Sequence, residues 1–125
     1  MVKARPVYLN LVEIRQPLPA IVSILHRISG ALLFLMGIPL VLLVAEASHG
    51  TAQDFDIVRG WFGSPLAKLG LLAMVWAYLH HFCAGIRYLL LDMDLGVDLE
   101  PARRSSVIVL FVSLALTVVV GARLW

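Results

Sequence analysis

Three stretches of this chain carry no charged side chain: Ile28–Ala45, Leu69–Ile86 and Ser105–Ala122, each 18 residues long. A helix of that length rises about 27 Å at 1.5 Å per residue, close to the roughly 30 Å hydrocarbon core of a bilayer. Buried helices of a soluble protein would leave almost no polar face here. Of the 125 residues, 61% are hydrophobic and 14% charged, whereas an ordinary soluble domain is about 25% charged. The expectation is an all-α integral membrane protein with three transmembrane helices in one domain. An interfacial arm is expected over 1–20, spans over about 21–45, 66–91 and 105–124, an outer loop over 46–65 and an inner loop over 92–104.

The remaining composition excludes several classes. A net charge of +2 is too small for a nucleic-acid footprint, so no nucleic-acid partner is expected. The single cysteine, Cys83, allows neither an intrachain disulfide nor a cysteine metal cage. The first 20 residues lack the apolar core of a cleavable signal. Pro17 and Pro19 prevent a helix from running straight out of the arm, and Pro39 is expected to kink the first span. Gly30, Gly37, Gly70, Gly85 and Gly121 are expected to allow close helix contacts.

Three spans put the termini on opposite sides of the membrane. Lys3, Arg5, Arg15, Arg27, Arg87, Arg103 and Arg104 then share the amino-terminal side, and Arg59, Lys68 and Arg123 the other. The positive-inside rule places the amino terminus in the cytoplasm and the carboxyl terminus outside. Trp61, Phe62 and Trp125 fall where an aromatic belt is expected, whereas Trp76 lies deep and reads as a packing residue.

Ionisable groups within spans are costly and mark functional sites. Two clusters qualify, Ser23–Gly30 and His80–Arg87, and the topology puts both at the inner face. His81 lies six residues inside Arg87, about 9 Å deeper along the axis. A neutral imidazole at that depth needs either a metal or an interhelical hydrogen bond, and both remain open. His26 and Arg27 lie at the boundary, where they can meet anionic oxygens or snorkel to headgroups. Ser23 can cap or back-bond its own helix. This layout suits a haem with its iron deep and its propionates at the interface. Adjacent residues are about 100° apart on a helix, so only one of His80 and His81 faces a given iron. Gly85, one turn after His81, favours His81 by giving a flat porphyrin room, and His80 then reads as a hydrogen bond to a neighbouring helix. Three helices and one axial ligand are too few to enclose a six-coordinate haem, which points to a second membrane subunit.

Ser23-x-x-His26-Arg27-x-x-Gly30 and His81-x-x-x-Gly85-x-Arg87, followed by Asp92, together resemble the cytochrome b556 membrane-anchor subunits of succinate dehydrogenase, respiratory complex II. The opening Arg5-Pro6-Val7-x-Leu9-x-Leu11 resembles the bacterial branch, and the likeness covers nearly the whole chain. The resemblance implies a bacterial inner-membrane protein paired with a second three-helix anchor in a heterodimeric bundle. It implies one shared haem b, with one axial histidine from each anchor. His81 matches the family's axial ligand to the haem iron, His26 and Arg27 match residues near the propionates, and Ser23 and Arg27 match the ubiquinone site. A flavoprotein subunit would oxidise succinate, and an iron–sulfur subunit would carry the electrons to ubiquinone. Many relatives have histidine where this chain has Tyr88, and Asp92 reads as a helix-terminal charge. Two other readings compete: a haem-b anchor of a fumarate reductase, and a cofactor-free structural or transport subunit. The paired broken helices or inverted repeats of a transporter are not visible.

Overall fold

The structure is a computed structural model that describes residues Glu13–Leu124. The arm expected over 1–20 lies outside the described residues as far as residue 12, as does Trp125. The described residues form helices and no strands: α1 (Leu18–Leu32), a π turn (Leu33–Gly37), α2 (Ile38–His49), α3 (Ala52–Trp61), α4 (Pro65–Asp92) and α5 (Leu99–Leu124). α1, the π turn and α2 run on as one span of 32 residues, and α4 and α5 are spans of 28 and 26 residues. Even the shortest is about 39 Å long, enough to cross a bilayer with some tilt.

Local sequence accounts for the helix ends. Pro17 is extended and caps α1, and Pro19 falls in the first turn, where a missing N–H costs nothing. At Pro39 the irregularity is the π turn, in which the Ile38 N–H reaches back five residues to the Leu33 carbonyl. Proline has no N–H for the Leu35 carbonyl and its ring would strike it, so widening the preceding turn relieves the clash. Ser64 caps α4, accepting from the Ala67 N–H at 3.2 Å. α4 ends where Asp94 and Gly96 take positive φ, 60° and 78°.

The expected outer loop 46–65 contains α3. Thr51 and Asp54 form a capping box: Thr51 Oγ1 accepts from the Asp54 N–H, and Asp54 Oδ2 accepts from the Thr51 N–H at 2.9 Å. The Thr51 hydroxyl also donates to Asp54 Oδ2 at 2.7 Å; this bond first, and the Thr51 N–H second, hold the Asp54 carboxyl below the usual carboxylate range. A depressed folded value means the cap is complete at neutral pH and is lost as pH falls through that value. Amide protection over α3 is expected to fall selectively in acid, and a protection that stays constant below the ordinary carboxylate range would contradict the cap.

α4 is the central helix, packed against α5 and α1, and α1 also touches α5. The bundle is inside-out by soluble standards. Among the described residues, Ser29, His80, Arg87, Ser106, Ser113 and Thr117 are buried, while Phe34, Leu35, Phe111 and Val118 are exposed. That distribution fits an apolar solvent, where polar groups face the bundle interior. Arg87 pins α4 to α5. Its Nε donates to Ser105 Oγ at 2.9 Å and its Nη2 to the Ala102 carbonyl at 3.4 Å. Replacing Arg87 by methionine removes charged hydrogen bonds worth about 1.5–3 kcal/mol each. A clear fall in the melting temperature of the purified protein is expected, and an unchanged melting temperature would show that the clamp contributes nothing.

Close helix contacts occur at some of the predicted glycines. A Cβ at Gly37 would lie 3.3 Å from Met74 Cε, and one at Gly121 would lie 2.9 Å from Leu72 Cδ1. At Gly70 a Cβ would meet nothing within 4 Å, so no close contact explains that glycine.

Candidate functional site

The two polar clusters meet at the seam between α1 and α4. The helices run antiparallel there, with Gly30 opposite His81 and Gly85 opposite His26. His81 Nδ1 lies 3.0 Å from the His26 carbonyl oxygen and 3.2 Å from Ser29 Oγ. The Ser29 hydroxyl donates to the same carbonyl at 2.9 Å. A carbonyl can only accept, so Nδ1 carries the proton and Nε2 the lone pair. Nε2 makes no hydrogen bond among the described residues. The His26 and His81 rings stack with centroids 4.1 Å apart and planes 14° from parallel.

Gly30 permits this arrangement. A Cβ there would sit 2.8 Å from His81 Cε1, closer than real contacts allow, so any larger residue forces the imidazole to move. Gly85 lies opposite the His26 ring on α1. A Cβ at Gly85 would lie 3.9 Å from His26 Nε2, an ordinary contact distance. Tyr88 tilts against His26 with centroids 5.1 Å apart, and the Arg87 guanidinium lies 5.3 Å from the Tyr88 ring centre. The Tyr88 hydroxyl is buried without a partner among the described residues.

His80 is fully buried and stacked on Trp76 at 5.2 Å. Neither ring nitrogen meets strict hydrogen-bond geometry, but the Val22 backbone of α1 acts on it as an acceptor, the kind of interhelical partner expected for it. A ligand outside the chain can reach half-exposed His81 at the seam, but it reaches His80 only by unpacking the bundle.

Ser23 and Arg27 lie one turn apart on α1, outside the histidine cluster. Ser23 is half-buried and Arg27 exposed, and neither hydrogen-bonds to a described residue. The back-bond considered for Ser23 is thus absent, and the Arg27 guanidinium remains available to an anion. Among the described residues no group of three or more His, Cys, Asp or Glu could hold a bare metal ion. Sequence reasoning gave Ser29 no role of its own and did not pair Gly30 with His81. Ser29 is three residues after His26 and beside Gly30, but its role appears only once α4 is laid against α1.

Residues 1–120 match the family model described as "Succinate dehydrogenase/Fumarate reductase transmembrane subunit". The chain belongs to this family. It is 35% identical over 127 residues to the succinate dehydrogenase cytochrome b556 subunit of Coxiella burnetii (strain RSA 493 / Nine Mile phase I), covering 97% of each chain. It is 38% identical over 106 residues to the subunit of the same name from Paracoccus denitrificans, covering 82% of this chain and 78% of the relative. The resemblance carried by the two motifs is borne out, as is the all-helical, three-span architecture. The chain is a multi-pass membrane subunit of the succinate dehydrogenase/fumarate reductase class.

Proposed function

We propose that this chain anchors a succinate:ubiquinone oxidoreductase to the bacterial inner membrane, helps hold one haem b and forms part of the ubiquinone-reducing site. The amino terminus is cytoplasmic and the carboxyl terminus periplasmic. The partners are a second three-helix anchor that supplies the other axial histidine, an iron–sulfur subunit, a flavoprotein subunit and surrounding lipid. The observation that carries the reading is His81, with Nδ1 held by a backbone carbonyl and Nε2 free. Metal-bound histidines are oriented in this way, through the nitrogen that does not bind. An iron already held by a porphyrin needs one such imidazole from this chain, so the donor set suits haem. The relatives' name, cytochrome b556, agrees with it.

Haem, when bound, would take up and return single electrons. His81 would hold its iron through Nε2. The His26 ring nitrogens make no hydrogen bond among the described residues and, with Arg27, are available to the propionates. Quinone reduction consumes two electrons, released when the flavoprotein converts succinate to fumarate, and two protons. The Ser23 hydroxyl can donate to one quinone carbonyl. Arg27 can stabilise negative charge that develops on the quinone oxygens before protons arrive from water at the inner face. Their spacing of four residues puts both groups on one side of α1.

Purification through a tag on this chain tests the assembly. A flavoprotein and an iron–sulfur protein should copurify, with succinate-dependent ubiquinone reduction in the same fraction. Recovery of the intact chain without dehydrogenase activity would favour a scaffold or transport subunit. The family description also covers fumarate reductases. Faster fumarate reduction by quinol than succinate oxidation by quinone in that fraction would assign the reverse direction.

A further inference from the structure

The His26 carbonyl serves three donors at once. It accepts the Gly30 N–H as part of α1, the Ser29 hydroxyl at 2.9 Å and His81 Nδ1–H at 3.0 Å. A carbonyl oxygen has two lone pairs, so the three bonds compete. Ser29 is completely buried, and its Oγ lies 3.2 Å from the same Nδ1, so it touches both ends of the bond that orients His81. The stacked His26 ring limits rotation of the imidazole, and the missing side chain at Gly30 lets it sit this close to α1.

We infer that Ser29 is a positioning residue that fixes the tautomer and tunes the electron density of the His81 imidazole, and through it the reduction potential of the bound haem. The inference rests on His81 being the axial ligand. By drawing on the His26 carbonyl, the Ser29 hydroxyl weakens the bond that carbonyl offers to Nδ1–H. Without the hydroxyl, Nδ1–H bonds more strongly, the imidazole becomes more electron-rich, and the oxidised iron is favoured. Hydrogen bonding to an axial ligand is a recognised control on haem potential.

The test compares Ser29→Ala and Ser29→Thr in the purified, haem-loaded complex by redox titration and by electron paramagnetic resonance of the oxidised haem. Ser29→Ala should keep its haem but shift the reduction equilibrium about threefold to tenfold towards the oxidised form, the upper value being about 59 mV for one electron. Its low-spin resonance should move as well. Ser29→Thr, which keeps a hydroxyl, should stay close to the unaltered complex. Unchanged potential and resonance in Ser29→Ala would overturn the inference. Equal shifts, or equal haem loss, in both variants would also overturn it, because packing and not the hydroxyl would then be responsible. If the unaltered complex contains haem but His81→Ala keeps the same spectrum, the ligand assignment fails and the inference falls with it.

Discussion

Arg27→Leu is expected to lower succinate:ubiquinone activity by about 10²–10³-fold, the usual effect of removing one preorganised charge-stabilising donor. Succinate oxidation by an artificial dye should be unaffected. The division follows from placement. Arg27 is exposed on α1 and bonded to no described residue, so leucine breaks no internal contact and leaves the bundle intact. Its guanidinium is free to meet an anion at the depth where a quinone headgroup would lie. Dye reduction draws electrons upstream of this chain and should not sense the change. Equal loss of both activities would mean that Arg27 holds the complex together, and unchanged quinone reduction would remove it from the site.

His81→Ala is expected to abolish the low-spin haem signal of the complex, because the proposed function makes His81 one of the two axial ligands. The substitution also removes a hydrogen bond across α1 and α4 and a ring stack, so a modest loss of stability should accompany it. His80→Ala separates the two effects. His80 is the more deeply buried histidine, and its loss leaves a cavity while the His81–His26 carbonyl bond and the His26–His81 stack remain. A variant at His80 should therefore lower stability and keep the haem spectrum, while the variant at His81 loses the spectrum. The opposite pattern would reassign the ligand to His80. Gly30→Ala offers a third comparison: its Cβ would reach to 2.8 Å of His81 Cε1, so the spectrum should be perturbed with the histidine still present.

The three spans were legible from charge alone, because a bilayer excludes ionised groups over a fixed thickness and that length is written as gaps between arginines. The α1–α4 meeting was legible in outline, since topology puts both polar clusters at one face. Three features were not. α3 was hidden by the polar composition of its connection, although Thr51 and Asp54 have the spacing of a capping box. The choice of His81 over His80 rested on Gly85, whereas the glycine in closest contact with His81 is Gly30, one helix away and invisible to any pattern within α4. The Arg87 clamp onto Ser105 and Ala102 depends on how α5 turns back after Asp94 and Gly96. Such contacts join residues far apart in sequence, which periodicity within one helix cannot report.

The most direct measurement is a reduced-minus-oxidised visible spectrum of the complex purified through a tag on this chain. A sharp low-spin b-type α-band, in the fraction that reduces ubiquinone with succinate, is the predicted result. A complex that reduces ubiquinone with no haem band would contradict the haem-binding role assigned to His81.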